Sequence, residues 1–185
     1  YLLAALNSFV FEKTVHAIAP TVSLQPGDVA RFPVLMANES DKSQVSELAR
    51  RAKTLGKTLW DMHEQSWDFQ NPILFSLEHS AKLGHNWSLA QERVDQHCDA
   101  ISEVERHIDT CFSRLYGIEL PSQSEGQSSS LVSSDLVSYT VGCIMGRYSL
   151  DAPGLIYAHA GNEGFDPSRY TTFPADDDGI VPITD

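Results

Sequence analysis

Two stretches of the sequence place apolar residues at alternating steps of three and four, and no other feature restricts the fold as much. In the first, Val45, Leu48, Ala52, Leu55, Leu59 and Met62 follow one another at intervals of 3, 4, 3, 4 and 3, the spacing that holds side chains on one line along an α-helix. In the second, Val94, Cys98, Ile101, Ile108, Phe112 and Leu115 repeat the step, with Glu105 at the one polar place and Val104 beside it. A helix with so narrow a stripe is marginal alone in water and gains most by burying it on a partner. Two such helices of similar length predict an antiparallel hairpin over 38–117, a spacer in which Leu55 and Ile108 are packing residues. Asp41 with Gln44, and Ser88 with Gln91, are expected to open the helices as capping boxes, and Gly117 to close the second. Gly56 weakens the first helix by about 1 kcal/mol relative to alanine, which suggests close packing there.

Between the seams, SWDFQNPILFSLEHSAKLGHNW supplies Trp67, Phe69, Phe75 and Trp87, expected as a packed cap on the hairpin's end. Before them, 2–18 carry a mostly helical pattern that Pro20 must stop, then a turn at Pro26-Gly27-Asp28 and a short extended run over 29–34. After them, PSQSEGQSSS has nothing to bury and reads as a flexible loop, 118–134 in all. Ser134 and Asp135 are expected to cap a short helix running to about Tyr148. The rest is turn-rich, with short extended pieces at 155–158 and 179–183. The expected class is therefore mainly α: a long antiparallel helical hairpin with additional short helices and a few short β-strands.

Thirteen Lys and Arg face 25 Asp and Glu, a formal charge of -12. So acidic a body repels a phosphate backbone, and any nucleic-acid contact is confined to local basic residues. No run of about 18 apolar residues occurs, which excludes a transmembrane helix and a membrane partner. Cys98, Cys111 and Cys143 are odd in number, and the first two lie on one predicted helix roughly 20 Å apart, which fits reduced thiols and a cytoplasmic setting. The start, YLLAALNSFVF, shows no initiator Met, basic leader or cleavage site, and the chain reads as part of something longer.

Candidate chemistry is sparse. VGCIMGRYSLD sets Gly142 and Gly146 four apart inside a predicted helix, without the pattern of a dinucleotide loop or a P-loop; glycines so spaced strip a helix face and let another element approach. Arg147 beside them is suited to an internal ion pair or a phosphate. His107 and Cys111 have metal-ligand spacing, but Cys98 and Cys111 fall on or beside the apolar seam and no C-x-x-C or H-E-x-x-H occurs, so no metal site is expected. Asp176 to Asp178 read as a solvated loop rather than a cation site, and a hydrolase acting through them is a remote reading. NPIL at 71–74 begins like the Asn-Pro-Pro-aromatic loop that holds a flipped adenine, yet lacks the second proline and the aromatic. No catalytic and no cofactor-binding residue is expected in this chain.

Four separated segments carry a resemblance: LLAALNSFVFEKTVHAIAPTVSLQPGDVARFPVL, SWDF, YTVGCIMGRYSLDAPGLIYA and FPADDDGIVPI. In this order they resemble the middle-to-late region of the PglX family, the adenine-specific DNA methyltransferases of BREX phage-defence systems, broadly similar to single-chain type IIG restriction-modification enzymes. The resemblance implies that Leu6-Asn7-Ser8, Pro20-Thr21, Gly27-Asp28-Val29 and Phe32-Pro33-Val34 mark the exit from a Rossmann-like catalytic core, so that 1–37 is an exit helix and docking segment. It implies further that 135–185 starts the target-recognition region, and that S-adenosylmethionine and the catalytic loops belong to a longer parent. The parent would methylate adenine N6 in DNA, with this chain as connector and partial recognition region. Arg147, Tyr148 and Arg169 are its candidates for contact with DNA or a neighbouring domain. Its partners would be DNA, the methyltransferase core, the recognition domain and other BREX proteins. The alternative is an acidic helical interaction or oligomerisation module that docks through exposed seam residues.

Overall fold

The computed structural model describes residues 1–19, 24–76, 83–121, 131–159, 161 and 163–182. The fold is mainly helical: α1 Leu2–Leu6, α2 Phe9–Ile18, α3 Pro26–Ala30, α4 Glu39–Trp60, α5 Leu83–Tyr116 and α6 Leu131–Ile144, with single 3₁₀ turns at Ile73–Phe75 and Pro167–Arg169. The expected short strands do not form among the described residues, where the only β pairing is an isolated bridge between Ser149 and Ala152. Pro26-Gly27-Asp28 is the first turn of α3 rather than a loop turn, because proline suits the first helical position and Asp28 reaches back to accept the Gln25 N–H at 3.2 Å. The stretch 155–158 is extended but unpaired in any sheet, and Ile183, Pro20 and most of the serine-rich stretch lie outside the described residues.

The described chain divides into two units, one of residues 1–56 with 97–121, the other of 57–96 with 131–182. The divisions fall inside α4 and α5. In the first unit Val45 and Ala49 of α4 share a core with Val104, Ile108 and Phe112 of α5, and Leu48, Ala52, Leu55 and Leu115 pack around them. The direction is antiparallel, since Asp41 near the start of α4 pairs with Arg114 near the end of α5 at 3.7 Å. The stripes are not buried on each other alone: Ala4, Ala5 and Val10 of the N-terminal helices and Phe32 enter the same core. Val104, not Glu105, takes the inward place, being 0 % exposed. Glu105 is turned outward, yet partial burial, with Asp109 nearby, still pushes its carboxyl above the ordinary range.

The N-terminal pattern is broken where one helix was expected. Ser8 has extended backbone, and its Oγ accepts the Phe11 N–H at 3.3 Å, which caps α2. Asp109 of α5 adds a second cap, accepting the Phe9 N–H at 2.7 Å from 100 residues away, while burial pushes its carboxyl above the ordinary range. Asn38 rather than Asp41 opens α4, its Oδ1 taking the Asp41 N–H at 2.9 Å. Ser88 lies within α5 and donates to the Gly84 carbonyl at 3.1 Å, so it opens nothing. Gly117, at φ +69°, ends α5, and the Ile118 N–H returns to the Ser113 carbonyl at 3.0 Å.

The extended stretch 33–37 is strung on two tyrosine hydroxyls. Tyr116 donates to the Pro33 carbonyl at 2.7 Å and accepts the Leu35 N–H at 2.9 Å. Tyr1 donates to the Leu35 carbonyl at 2.7 Å and accepts the Ala37 N–H at 3.2 Å. Phe32 anchors the stretch, edge-on to Phe11 and stacked on Tyr116 with centroids 5.1 and 5.7 Å apart. By contrast Gly56 has open space where a Cβ would stand, which corrects the expectation of close packing. Gly56→Ala is therefore expected to stabilise the chain by about 0.5–1 kcal/mol in urea unfolding.

In the second unit Phe69, Tyr139 and Tyr148 are buried together, with Cys143 beside them. Phe69 meets Tyr148 edge-on at 5.6 Å, and Tyr139 stacks on Tyr148 at 5.1 Å. Phe75 joins Tyr139, but Trp67 stands fully exposed, so the four aromatic residues of the connecting stretch do not act as one cap. Helix α6 begins upstream of Ser134 and Asp135 and stops at Ile144, four residues short of Tyr148. Asp135 instead meets His63 Nδ1 at 3.3 Å, and Ser138 donates to Glu64 at 2.6 Å, fastening α6 to the turn after α4.

Candidate functional site

The C-terminal end of α6 organises the region the sequence singled out. A side chain at Gly142 would overlap the Tyr148 ring, which lies flat across the helix where the glycine leaves room. Gly146 has φ +65°, a conformation open mainly to glycine, and a Cβ there would overlap the Gly179 carbonyl oxygen. The Tyr170 hydroxyl donates to the Gly146 carbonyl, and Val181 N–H to the Ile144 carbonyl at 2.9 Å. Two distant segments thus close on one helix end.

Beyond it, GRYSLD folds back through its polar atoms. Ser149 Oγ donates to the Arg169 carbonyl at 3.1 Å, and the Tyr139 hydroxyl donates to the Ser149 carbonyl at 3.3 Å. Asp151 accepts the Thr172 N–H at 2.9 Å, the Thr172 hydroxyl, and the Thr171 N–H at 2.7 Å. These bonds, Thr172's above all, hold its carboxyl well below the ordinary carboxylate range. A depressed value means that the ionised form belongs to the folded loop. Its contribution is present above the ordinary value of 3.8 and is lost as pH falls below it. The amide shifts of Thr171 and Thr172 are expected to hold steady down to about pH 4 and titrate beneath it, and Asp151→Asn should abolish that titration.

Of the three candidate contact residues, Arg147 and Arg169 stand exposed and Tyr148 is buried. Tyr148 packs with Phe69 and Tyr139. Both arginines bond to one residue: the Ile156 N–H donates to the Arg147 carbonyl at 2.8 Å, and Arg169 Nη1 donates to the Ile156 carbonyl at 3.3 Å. Among the described residues no carboxylate lies within ion-pair distance of either guanidinium, so the internal ion pair expected of Arg147 does not form. Of the packing residues, Ile108 is buried in the first core and Leu55 is half-buried against it.

Below α6 lies an apolar groove of about 280 Å³, floored by Ile144, Tyr148, Leu150, Tyr170, Val181 and Phe173. Sequence reasoning missed it, since its walls come from segments with no shared period; the apolar Leu150 and Phe173 among turn residues were the only signal. Cys143 lines it, with burial pushing its thiol up. No disulfide joins the three cysteines, and no group of three His, Cys, Asp or Glu among the described residues converges as metal ligands. No helix of the described residues is long and apolar enough to cross a membrane.

No protein-family model matches the chain. Over its whole length, however, the sequence is related to a segment of adenine-specific methyltransferases. It is 34% identical to adenine-specific methyltransferase BrxX of Escherichia coli O9:H4 (strain HS) and 30% identical to adenine-specific methyltransferase PglX of Lacticaseibacillus casei (strain Zhang). Both alignments take in 100% of this chain but only 17% and 16% of those proteins, so the chain spans about a sixth of the length of the curated relatives it matches.

Proposed function

We propose that this chain is the connector and partial DNA-recognition region of a BREX adenine N6-methyltransferase, holding a catalytic core and a reading site at a fixed spacing. The observation that carries the reading is the match along the whole chain to one sixth of two adenine-specific methyltransferases. The geometry agrees with it. α4 and α5, of 22 and 34 residues, span about 33 and 51 Å at 1.5 Å per residue, lengths suited to setting a distance. Leu2, Leu3, Leu35 and Met36 stand exposed on the N-terminal part, an apolar surface that a methyltransferase core would cover. Arg147 and Arg169 are exposed cations with no carboxylate at ion-pair distance among the described residues, although Asp166 lies within the electrostatic reach of Arg169, and exposed guanidinium groups suit phosphates.

S-adenosylmethionine belongs to the parent in this reading. Titration of this chain with S-adenosylmethionine is expected to give no binding heat. The test of the DNA contact is the salt dependence of duplex binding. Each phosphate neutralised contributes about 0.9 to the log–log slope, so Arg147→Ala with Arg169→Ala should lower it by nearly two and weaken binding to every sequence alike. An unchanged slope in the double variant would overturn the assignment of these arginines.

A further inference from the structure

The groove under α6 is open and apolar, with the acidic turn 176–178 between its lining residues Phe173 and Val181 and with Arg147 and Arg169 next to Tyr148 and Tyr170. Phe173 and Leu150, on its floor, are 58% and 48% exposed, and Ile180, next to the groove-lining Val181, is 49% exposed. Val141 of α6 and Met145, the residue after its end, are exposed as well. The acidic run 176–178 leads directly into this wall. Its turn is closed by the Gly179 N–H on the Asp176 carbonyl at 2.9 Å and the Asp176 N–H on the Ile180 carbonyl at 2.8 Å. The Gly179 carbonyl seated against Gly146 fixes the turn to the end of α6. Asp178 accepts the Ile180 N–H at 3.0 Å, and among the described residues no Lys, Arg or His pairs with any of the three carboxylates.

We propose that this groove is a docking site for a basic amphipathic protein segment, which seats an apolar side chain against Phe173 and Leu150 and sets Lys or Arg against Asp176, Asp177 and Asp178. At about 280 Å³ the groove is below the usual size of a small-molecule site and is suited to one or two anchor side chains. Charge decides which partner. The second unit contains Lys57, Lys82, Arg93, Arg147 and Arg169 as its only Lys and Arg, among many more carboxylates. A second copy of the chain would bring the same negative charge to the same place, and a nucleic acid would bring phosphates to a carboxylate rim; both are repelled. A cationic, partly apolar segment satisfies the rim and the floor together. The proposal does not depend on the arginine pair proposed to meet DNA.

The test uses the intact chain and two fluorescent helical peptides of identical apolar residues, one with lysines on its polar face and one with glutamates. The lysine peptide is expected to bind, more weakly as salt rises. Phe173→Asp should weaken it at least about tenfold, and Asp176→Asn, Asp177→Asn and Asp178→Asn together about fivefold at low salt, with near-ultraviolet circular dichroism reporting that each variant keeps its fold. If Phe173→Asp loses its fold, Leu150→Lys provides the same reading from the other side of the floor. Equal binding of both peptides, lysine-peptide binding indifferent to the groove variants, or a dimer of the chain that Phe173→Asp dissolves would each overturn the proposal.

Discussion

Gly146→Ala is expected to destabilise the second unit by about 2–4 kcal/mol, the sum of a left-handed backbone imposed on a residue with a Cβ and an overlap that backbone alone must relieve. The obstacle is the Gly179 carbonyl oxygen, which cannot swing aside as a side chain can, and the Tyr170 hydroxyl is bonded to the carbonyl of Gly146 itself. Gly164→Ala separates the two causes. Gly164 also has positive φ, +78°, but nothing lies within reach of its added Cβ. It should lose only about 1 kcal/mol, the backbone share. Chemical denaturation of both variants, followed through the tyrosines of the second unit, measures the difference. Equal losses would mean that the close approach of Gly179 contributes nothing.

Phe112→Ala is the second large effect. Phe112 is 1% exposed and sits where α5, α4 and the N-terminal helices share one core, its ring 5.4 Å from that of Tyr1. Truncation removes the ring and leaves a cavity that three separate helical segments cannot all close, a loss of about 3–5 kcal/mol. The hydroxyl of Tyr1 also holds 35–37, so amide exchange at Leu35 and Ala37 should rise along with the loss of global stability. A loss below about 1 kcal/mol would show that α1 and α2 are not integral to this core.

The periodic half of the fold was legible because a helix repeats. The stepping from Val45 and from Val94 located both long helices, and Gly117 marked the end of the second. What periodicity could not show was the third party: Ala4, Ala5 and Val10 share the seam, and small apolar residues in a short helix carry no signature of what they pack against. Caps were displaced for a similar reason. Asn38, Asp41, Ser88 and Ser134 all have capping chemistry, and only the tertiary course of the chain decides which stands at a helix end. Gly56 shows the converse, a glycine in a helix with no neighbour to explain it.

Around the candidate site the legible part was the glycine pair, at each of which a neighbour comes too close for a side chain. The burial of Tyr148 was not legible, because an aromatic beside an arginine looks the same in sequence whether it faces out or packs beside a glycine. Asp151 escaped notice for a different reason. Its partners are Thr171 and Thr172, twenty residues on, and a carboxylate tying a turn-rich segment leaves no repeating pattern to read.

The central claim is that this segment sets a distance and angle for chemistry done elsewhere in a longer methyltransferase. Removing one helical turn from α4 and one from α5, outside the cores, shortens the spacer without touching a candidate site. In the full-length enzyme the measurement is adenine N6 methylation of its DNA site, beside S-adenosylmethionine binding. The account predicts cofactor binding unchanged and methylation reduced at least about hundredfold. Methylation at the full rate through the shortened spacer would contradict it.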